Sequence, residues 1–121
     1  MDYSTLIEDL LTAIPELRDS YLKYIEWWGE GAPGPHVVFG DLLDPLLFRL
    51  LAKPPQDDLL QRIFAFLEDM GSSEELVQEV LVVTVLERLS DDPKILETAR
   101  PLMGPITGHL LEEMEKWRPV R

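Results

Sequence analysis

Cysteine is missing from the chain, so neither a disulfide framework nor a thiolate metal site can be built from it. Histidine is almost as scarce: His36 and His109 are the only two, too few for a histidine-rich metal centre. Cations are short as well. Eleven Lys and Arg face 23 Asp and Glu, a formal net charge of -12. Phosphate backbones and anionic membrane surfaces both reward Lys and Arg, so nucleic acid and membrane partners are not expected. No apolar run approaches the ~20 residues that span a bilayer. The N-terminal MDYSTLIEDLL lacks the basic start and small-residue cleavage site of a secretory signal, and a soluble cytoplasmic protein is the simplest expectation. Motifs for an esterase elbow or a phosphate loop are missing too. Gly29, Gly31 and Gly34 are interrupted by Pro33, followed by Pro35, and read as a plain loop.

What is present specifies helices. The chain has 121 residues, 45% of them hydrophobic, which suits one folded domain over residues 1–121. The stretch EELVQEVLVVTVLERL, Glu74 to Leu89, leaves no continuous polar face on a helix and should be buried on most sides. Its inner VLVVTVL is β-branched enough to pass for a strand, but its length and its ends favour a helix. Ser72 and Glu75 read as a capping box there.

Along the chain, Thr5 and Glu8 read as another capping box, before a stripe of Leu6, Ile7, Leu10, Leu11 and Ile14. Pro15 ends that helix and opens a second one, whose stripe is Leu17, Tyr21, Tyr24, Ile25 and Trp28. After the glycine loop, His36 to Phe39 (HVVF) reads as a short extended piece, and Asp44 followed by Pro45 as a capped helix start. Leu46, Leu47, Leu50 and Leu51 face inward before Pro54 and Pro55. A helix from about Asp57 to Met70 follows, with Asp58 and Arg62 spaced to pair and Gly71 as a left-handed stop. Asp92 and Pro93 open the next helix. Gly104 and Pro105 separate it from the last, whose stripe is Ile106, Leu110, Met114 and Trp117. The sum is an all-α fold of about seven short helices in antiparallel pairs, a small α-solenoid or an irregular orthogonal bundle.

Chemistry is sparse. Asp41 and Asp44 are three apart, which suits paired carboxylates, yet helix capping explains both. His109 stands near Glu112 and Glu113, a pattern that more simply makes a surface His–Glu pair than a metal site. A catalytic centre would need His36, Asp41 and Asp44 to converge, so no enzyme, metal or cofactor is expected. The feature that stands out is Glu26-Trp27-Trp28-Gly29-Glu30. Trp28 fits the stripe of its helix and Trp27 falls off it. Trp27 is then either an exposed interface anchor or a side chain packed under the loop. Trp117 is expected in the core.

PELRDSYLKYIEWWGEGAPGPHVVFGDLL, residues 15–43, with the helices after it, resembles a group of small acidic bacterial proteins. Their shared pattern is a Pro-Glu-Leu helix, a loop, a His-Val-x-Phe-Gly-Asp-Leu segment and leucine-rich helices. They are similar to the immunity proteins of polymorphic toxin systems. The resemblance implies a stoichiometric binding protein that neutralises a toxin by occluding its active site. The expected partner is a basic toxin domain, met through Glu26, Trp27, Glu30, His36 and Asp41, with Trp27 as anchor and the carboxylates steering. The alternative is a helical adaptor that binds a peptide or partner helix in a groove between helices. Monomer and homodimer both remain open.

Overall fold

The computed structural model describes residues 1–53 and 58–117, which form seven helices and, among the described residues, no strand. Helix α1 is Leu6–Ala13, entered through a 3-10 turn at Tyr3–Thr5. Helix α2 is Arg18–Trp28, entered through Pro15–Leu17. Helix α3 (residues 35–51) joins α-helical Pro35–Val38, π-helical Phe39–Leu43 and α-helical Asp44–Leu51. Helix α4 is Asp58–Gly71. Helix α5 (residues 75–90) again has three parts: Glu75–Glu79, a π-helical Val80–Leu86, and Glu87–Ser90. Helix α6 is Pro93–Ala99 with a 3-10 turn at Arg100–Leu102, and α7 is Pro105–Trp117.

One apolar core joins all of these; α2 adds the half-buried Tyr21 to it and contributes no fully buried residue. Leu6 and Leu10 of α1 and Ile14 just after it are fully buried, as their spacing predicts, and so are Leu67 and Met70 of α4. Each such side chain contributes about 2 kcal/mol of burial. Helix α4 packs on α1, α3, α5 and α7, and α5 packs on α3, α6 and α7. Contacts of this range distinguish an irregular bundle from a solenoid, where each unit meets only its neighbours.

Helix starts divide into those that local chemistry sets and those that tertiary contacts set. Asp92 caps α6 by accepting from Ile95 N at 3.3 Å, with Pro93 in the first turn, as expected. The two expected capping boxes are not formed. Asp2, not Thr5, caps the first turn, accepting from Thr5 N at 3.2 Å. Ser72 and Ser73 turn back to the Asp69 carbonyl, so Glu74 stands at the N-cap of α5 without a side-chain bond of its own to the helix. Glu74 Oε1 accepts instead from Tyr3 N at 2.6 Å, tying the chain's start to α5. Helix α7 is capped from outside. The Glu68 carboxylate of α4 accepts from Ile106 N at 2.9 Å, and from both Thr107 N and Thr107 Oγ1 at 2.8 Å. Those donors would otherwise be orphaned.

Gly71 is not a left-handed stop, since among the described residues only Gly29 and Gly31 have positive φ. It is the last residue of α4, and a Cβ there would lie 2.7 Å from Ile106 Cγ2. Its lack of a side chain lets α7 approach. The face α7 buries is Thr107, Leu111 and Met114. Ile106 is 38% exposed and Trp117 is 85% exposed, which corrects the expected stripe. The Asp58–Arg62 pair forms at 3.0 Å, and Arg62 also pairs with Glu16 across to the 3-10 turn before α2. Asp57, expected at the start of α4, and Pro54 and Pro55 lie outside the described residues.

Candidate functional site

The molecule's most unusual backbone lies where α3 and α5 cross. Both helices widen to π geometry there, and the two π segments pack on each other. Asp44 N donates to Phe39 O and Glu87 N to Val82 O, five residues back in each case. Buried residues accordingly recur at intervals of five: Val38 and Leu43, Phe39 and Asp44, Val80 and Val85, Leu81 and Leu86. The sequence reasons differ. In α5 the run VLVVTVL crowds β-branched side chains against the preceding turn, which weakens α geometry. In α3 the cause is Pro45, which has no N–H to give to Gly40 O, five residues back. Arg88 supplies the missing donor, with Nη1 3.2 Å from Gly40 O. Pro45 therefore sits inside a helix instead of opening one, and Asp44 is a buried interior residue, not a cap. The HVVF segment is helical from Pro35 onward, because Pro35 occupies the first turn.

Three polar links cross this junction. His36 Nδ1 and Thr84 Oγ1 lie 2.6 Å apart, a hydrogen bond whose donor depends on the imidazole tautomer. Arg88 reaches Gly40, as above, and Arg88 Nε stands 3.7 Å from Asp44 Oδ2. Two adjoining pockets share Gly40 and Arg88. One is lined by His36, Val37, Asp41, Val83 and Thr84, and the other by Asp44, Pro45, Phe48 and Asp91. Val83, expected to be buried, is 47% exposed on the rim, and Leu76 of the same helix is 52% exposed. Helix α5 is thus covered on fewer sides than its composition implies.

Asp44 carries the strongest electrostatic tension here. Its side chain is 4% exposed, and neither carboxylate oxygen has a hydrogen-bond donor among the described residues. Burial pushes its carboxyl up to about 7, with the Arg88 charge pulling the other way. Asp41, one turn earlier, is exposed and accepts from the Tyr24 hydroxyl at 2.6 Å. That bond, with some desolvation, raises Tyr24 to about 12. The two aspartates therefore do not act as a pair: one faces α2 and the other faces α5.

Tyr24 carries the site across to α2. Its ring lies 6.0 Å from that of Trp27 and 5.7 Å from that of Trp28. Trp27 is 78% exposed, which excludes packing under the loop. Trp28, expected in the core, is 39% exposed, and Tyr21, Tyr24 and Ile25 are only half-buried. The stripe of α2 exists, but little covers it. Of the residues singled out from sequence, Trp27, Asp41 and His36 fall on one continuous surface through Tyr24. Glu26 lines a separate pocket with Tyr21, Leu22, Ile25, Gly29, Gly31 and Ala32. Glu30 is exposed in the loop.

No group of three or more His, Cys, Asp or Glu suited to a metal ion occurs among the described residues. His36 and Thr84 have the residue types of a base and a nucleophile. Thr84, however, is buried in the middle of a helix, so the pair holds α3 to α5 and offers no open hydroxyl for attack.

A family model described as a domain of unknown function (DUF7674) matches residues 7–118. The chain belongs to this family. Nothing among curated proteins or solved structures matches it. The DUF7674 match takes in nearly all of α1 and the whole of α2 to α7, hence every residue of the α3–α5 junction. No described helix of this domain is long and apolar enough to cross a membrane. Sequence reasoning missed Arg88, Thr84 and Tyr24 as members of the site. The available signal was Thr84, the one polar residue inside VLVVTVL, with Arg88 four residues later.

Proposed function

We propose that this chain is a stoichiometric binding protein that docks a basic protein partner on the surface running from Trp27 through Tyr24 and Asp41 to His36. The observation that carries the reading is Trp27 itself, with most of its ring in solvent next to a tyrosine fixed by a carboxylate. A rigid aromatic anchor flanked by acid is the arrangement that interfaces use for affinity, while surrounding charges set the encounter rate. Val37 and Val83 extend the apolar area, and the net charge of -12 favours a cationic partner at long range. With the resemblance to immunity proteins, the partner class is a bacterial toxin domain whose basic cleft this face would fill. The adaptor reading asks for a continuous exposed row of leucines. Leu22 and Leu76, the exposed leucines, lie on different helices, so the tryptophan-centred surface is favoured.

The test is capture of the partner from the native host, or of the product of the adjacent gene, at two salt concentrations. A single basic protein is expected, bound one-to-one and associating more slowly in high salt. Trp27→Ala should weaken it by about 2 kcal/mol with an unchanged melting temperature. An unchanged affinity would remove Trp27 from the interface, and the absence of a partner at both salt concentrations would sink the reading.

A further inference from the structure

Asp44 sits badly with the fold that holds it. Its carboxylate has room for about four hydrogen bonds, and no donor among the described residues reaches it. Arg88 is the cation paired with it among the described residues, but 3.7 Å is too long for a hydrogen bond, and 54% of the Arg88 side chain is exposed. Among the described residues, one hydrogen bond, to Gly40 O, anchors the guanidinium. A guest that takes the place of Arg88 beside Asp44 must therefore also donate to Gly40 O, which lines the same pocket.

The surroundings narrow what would take its place. The pocket above Asp44 has a volume of about 410 Å³, within the range of small-ligand sites. Asp91 provides a second carboxylate on its wall, so acidic groups outnumber the one cation, Arg88, among the lining residues, and a cationic guest is favoured over an anionic one. Pro45 and Phe48 give an apolar side, and the Phe48 ring suits the flat face of a guanidinium or the stem of an amine.

We propose that the pocket floored by Asp44 between α3 and α5 binds a cationic nitrogen group on a short apolar stem, which donates to the carboxylate that Arg88 approaches only loosely. The group is an ammonium or a guanidinium. It comes either from a free small amine or from a Lys or Arg side chain of a protein, and the two sources share one chemistry.

Butylguanidine is the probe, titrated into the isotopically labelled full-length protein and followed by nuclear magnetic resonance. Saturable shifts are expected at Gly40, Phe48 and the Asp44 carboxyl carbon. Asp44→Asn should weaken binding about tenfold, the loss of a charge-assisted hydrogen bond. Glu97→Gln makes the same change of charge on an exposed part of α6 and should leave binding unchanged. Asp91→Asn, at the exposed rim, is a second variant that does not disturb the interior, with an expected loss of about threefold. A blocked Gly-Arg-Gly peptide separates the sources. Tighter binding than butylguanidine identifies a protein side chain as the guest, and weaker binding identifies a free cation. Shifts that do not saturate, or that Asp44→Asn and Glu97→Gln reduce equally, would overturn the proposal. The probe is read on the isolated protein, so its failure would leave docking through Trp27 untouched, and a missing protein partner would leave this pocket untouched.

Discussion

Asp44 and Arg88 stand 3.7 Å apart, near enough to attract and too far to share a proton-bearing hydrogen bond. The pair therefore returns little of what desolvating the carboxylate takes away. Its pH signature follows. The unfolded chain ionises Asp44 near its ordinary 3.8, whereas the folded chain does so only at about 7. Between those values the folded state holds the extra proton, so this contribution is fully present below pH ~4 and declines as the pH rises to ~7. Asp44→Asn removes the effect. Its stability should match the parent near pH 4 and exceed it at pH 8 by on the order of 2–4 kcal/mol. Urea unfolding at both pH values checks this, and a less stable variant at pH 8 would mean that Arg88 compensates the charge fully.

The close approach of Gly71 to Ile106 gives a second expectation. Gly71→Ala normally helps a helix, by up to about 1 kcal/mol. Here the new methyl group meets Ile106 Cγ2, so the substitution should destabilise by about 1–3 kcal/mol. Ile106→Ala removes the Cγ2 methyl that carries the clash and should recover part of the loss in the double variant. Thermal unfolding of the three variants measures the coupling. Additive effects would show that the two helices relax apart freely.

Glu68 links α4 to the first turn of α7. Burial raises its carboxyl, but the N–H groups of Ile106 and Thr107 and the Thr107 hydroxyl together outweigh that and hold it below the usual 4.5. The stabilisation is therefore present above the unfolded value and is lost as the pH falls through the folded one. Glu68→Ala should cost about 1–2 kcal/mol at pH 7 and much less at pH 3. Hydrogen exchange at Ile106 and Thr107 should speed up at pH 7, and unchanged exchange would assign their protection to something other than this carboxylate.

The fold was legible at several boundaries that proline, glycine and aspartate set locally, though not at Gly71 or Asp44–Pro45. The breaks at Pro15, Asp92–Pro93 and Gly104–Pro105 stand where the sequence puts them. Pro45 misled because a proline inside a helix normally breaks it. The π turn and the donor from Arg88 remove that objection, and Arg88 is 43 positions away from Pro45 (88 − 45). Spacing also says which residues share a face, without saying what covers it. The stripes of α2 and α7 were drawn correctly as geometry in part, yet Trp28 and Trp117 point to solvent because, among the described residues, no helix packs over them.

The site was half visible. Trp27, His36 and Asp41 stood out by residue type and do meet on one surface. Asp44 drew notice for the wrong reason, as a cap. The decisive partners, Thr84 and Arg88, belong to a stretch whose apolar bulk read as core alone. What joined them to His36 and Gly40 was the crossing of α3 and α5, a contact between segments 48 residues apart.

The exposed tryptophans have an optical consequence. All three of the chain's indoles reach solvent: Trp28 at 39%, Trp27 at 78% and Trp117 at 85%. Emission from the native protein should already lie near its long-wavelength limit, so melting the core will scarcely change its colour. Circular dichroism must then report unfolding, while intrinsic fluorescence is left as a nearly background-free gauge of the surface. A blue shift on mixing would mean that something has settled over those rings.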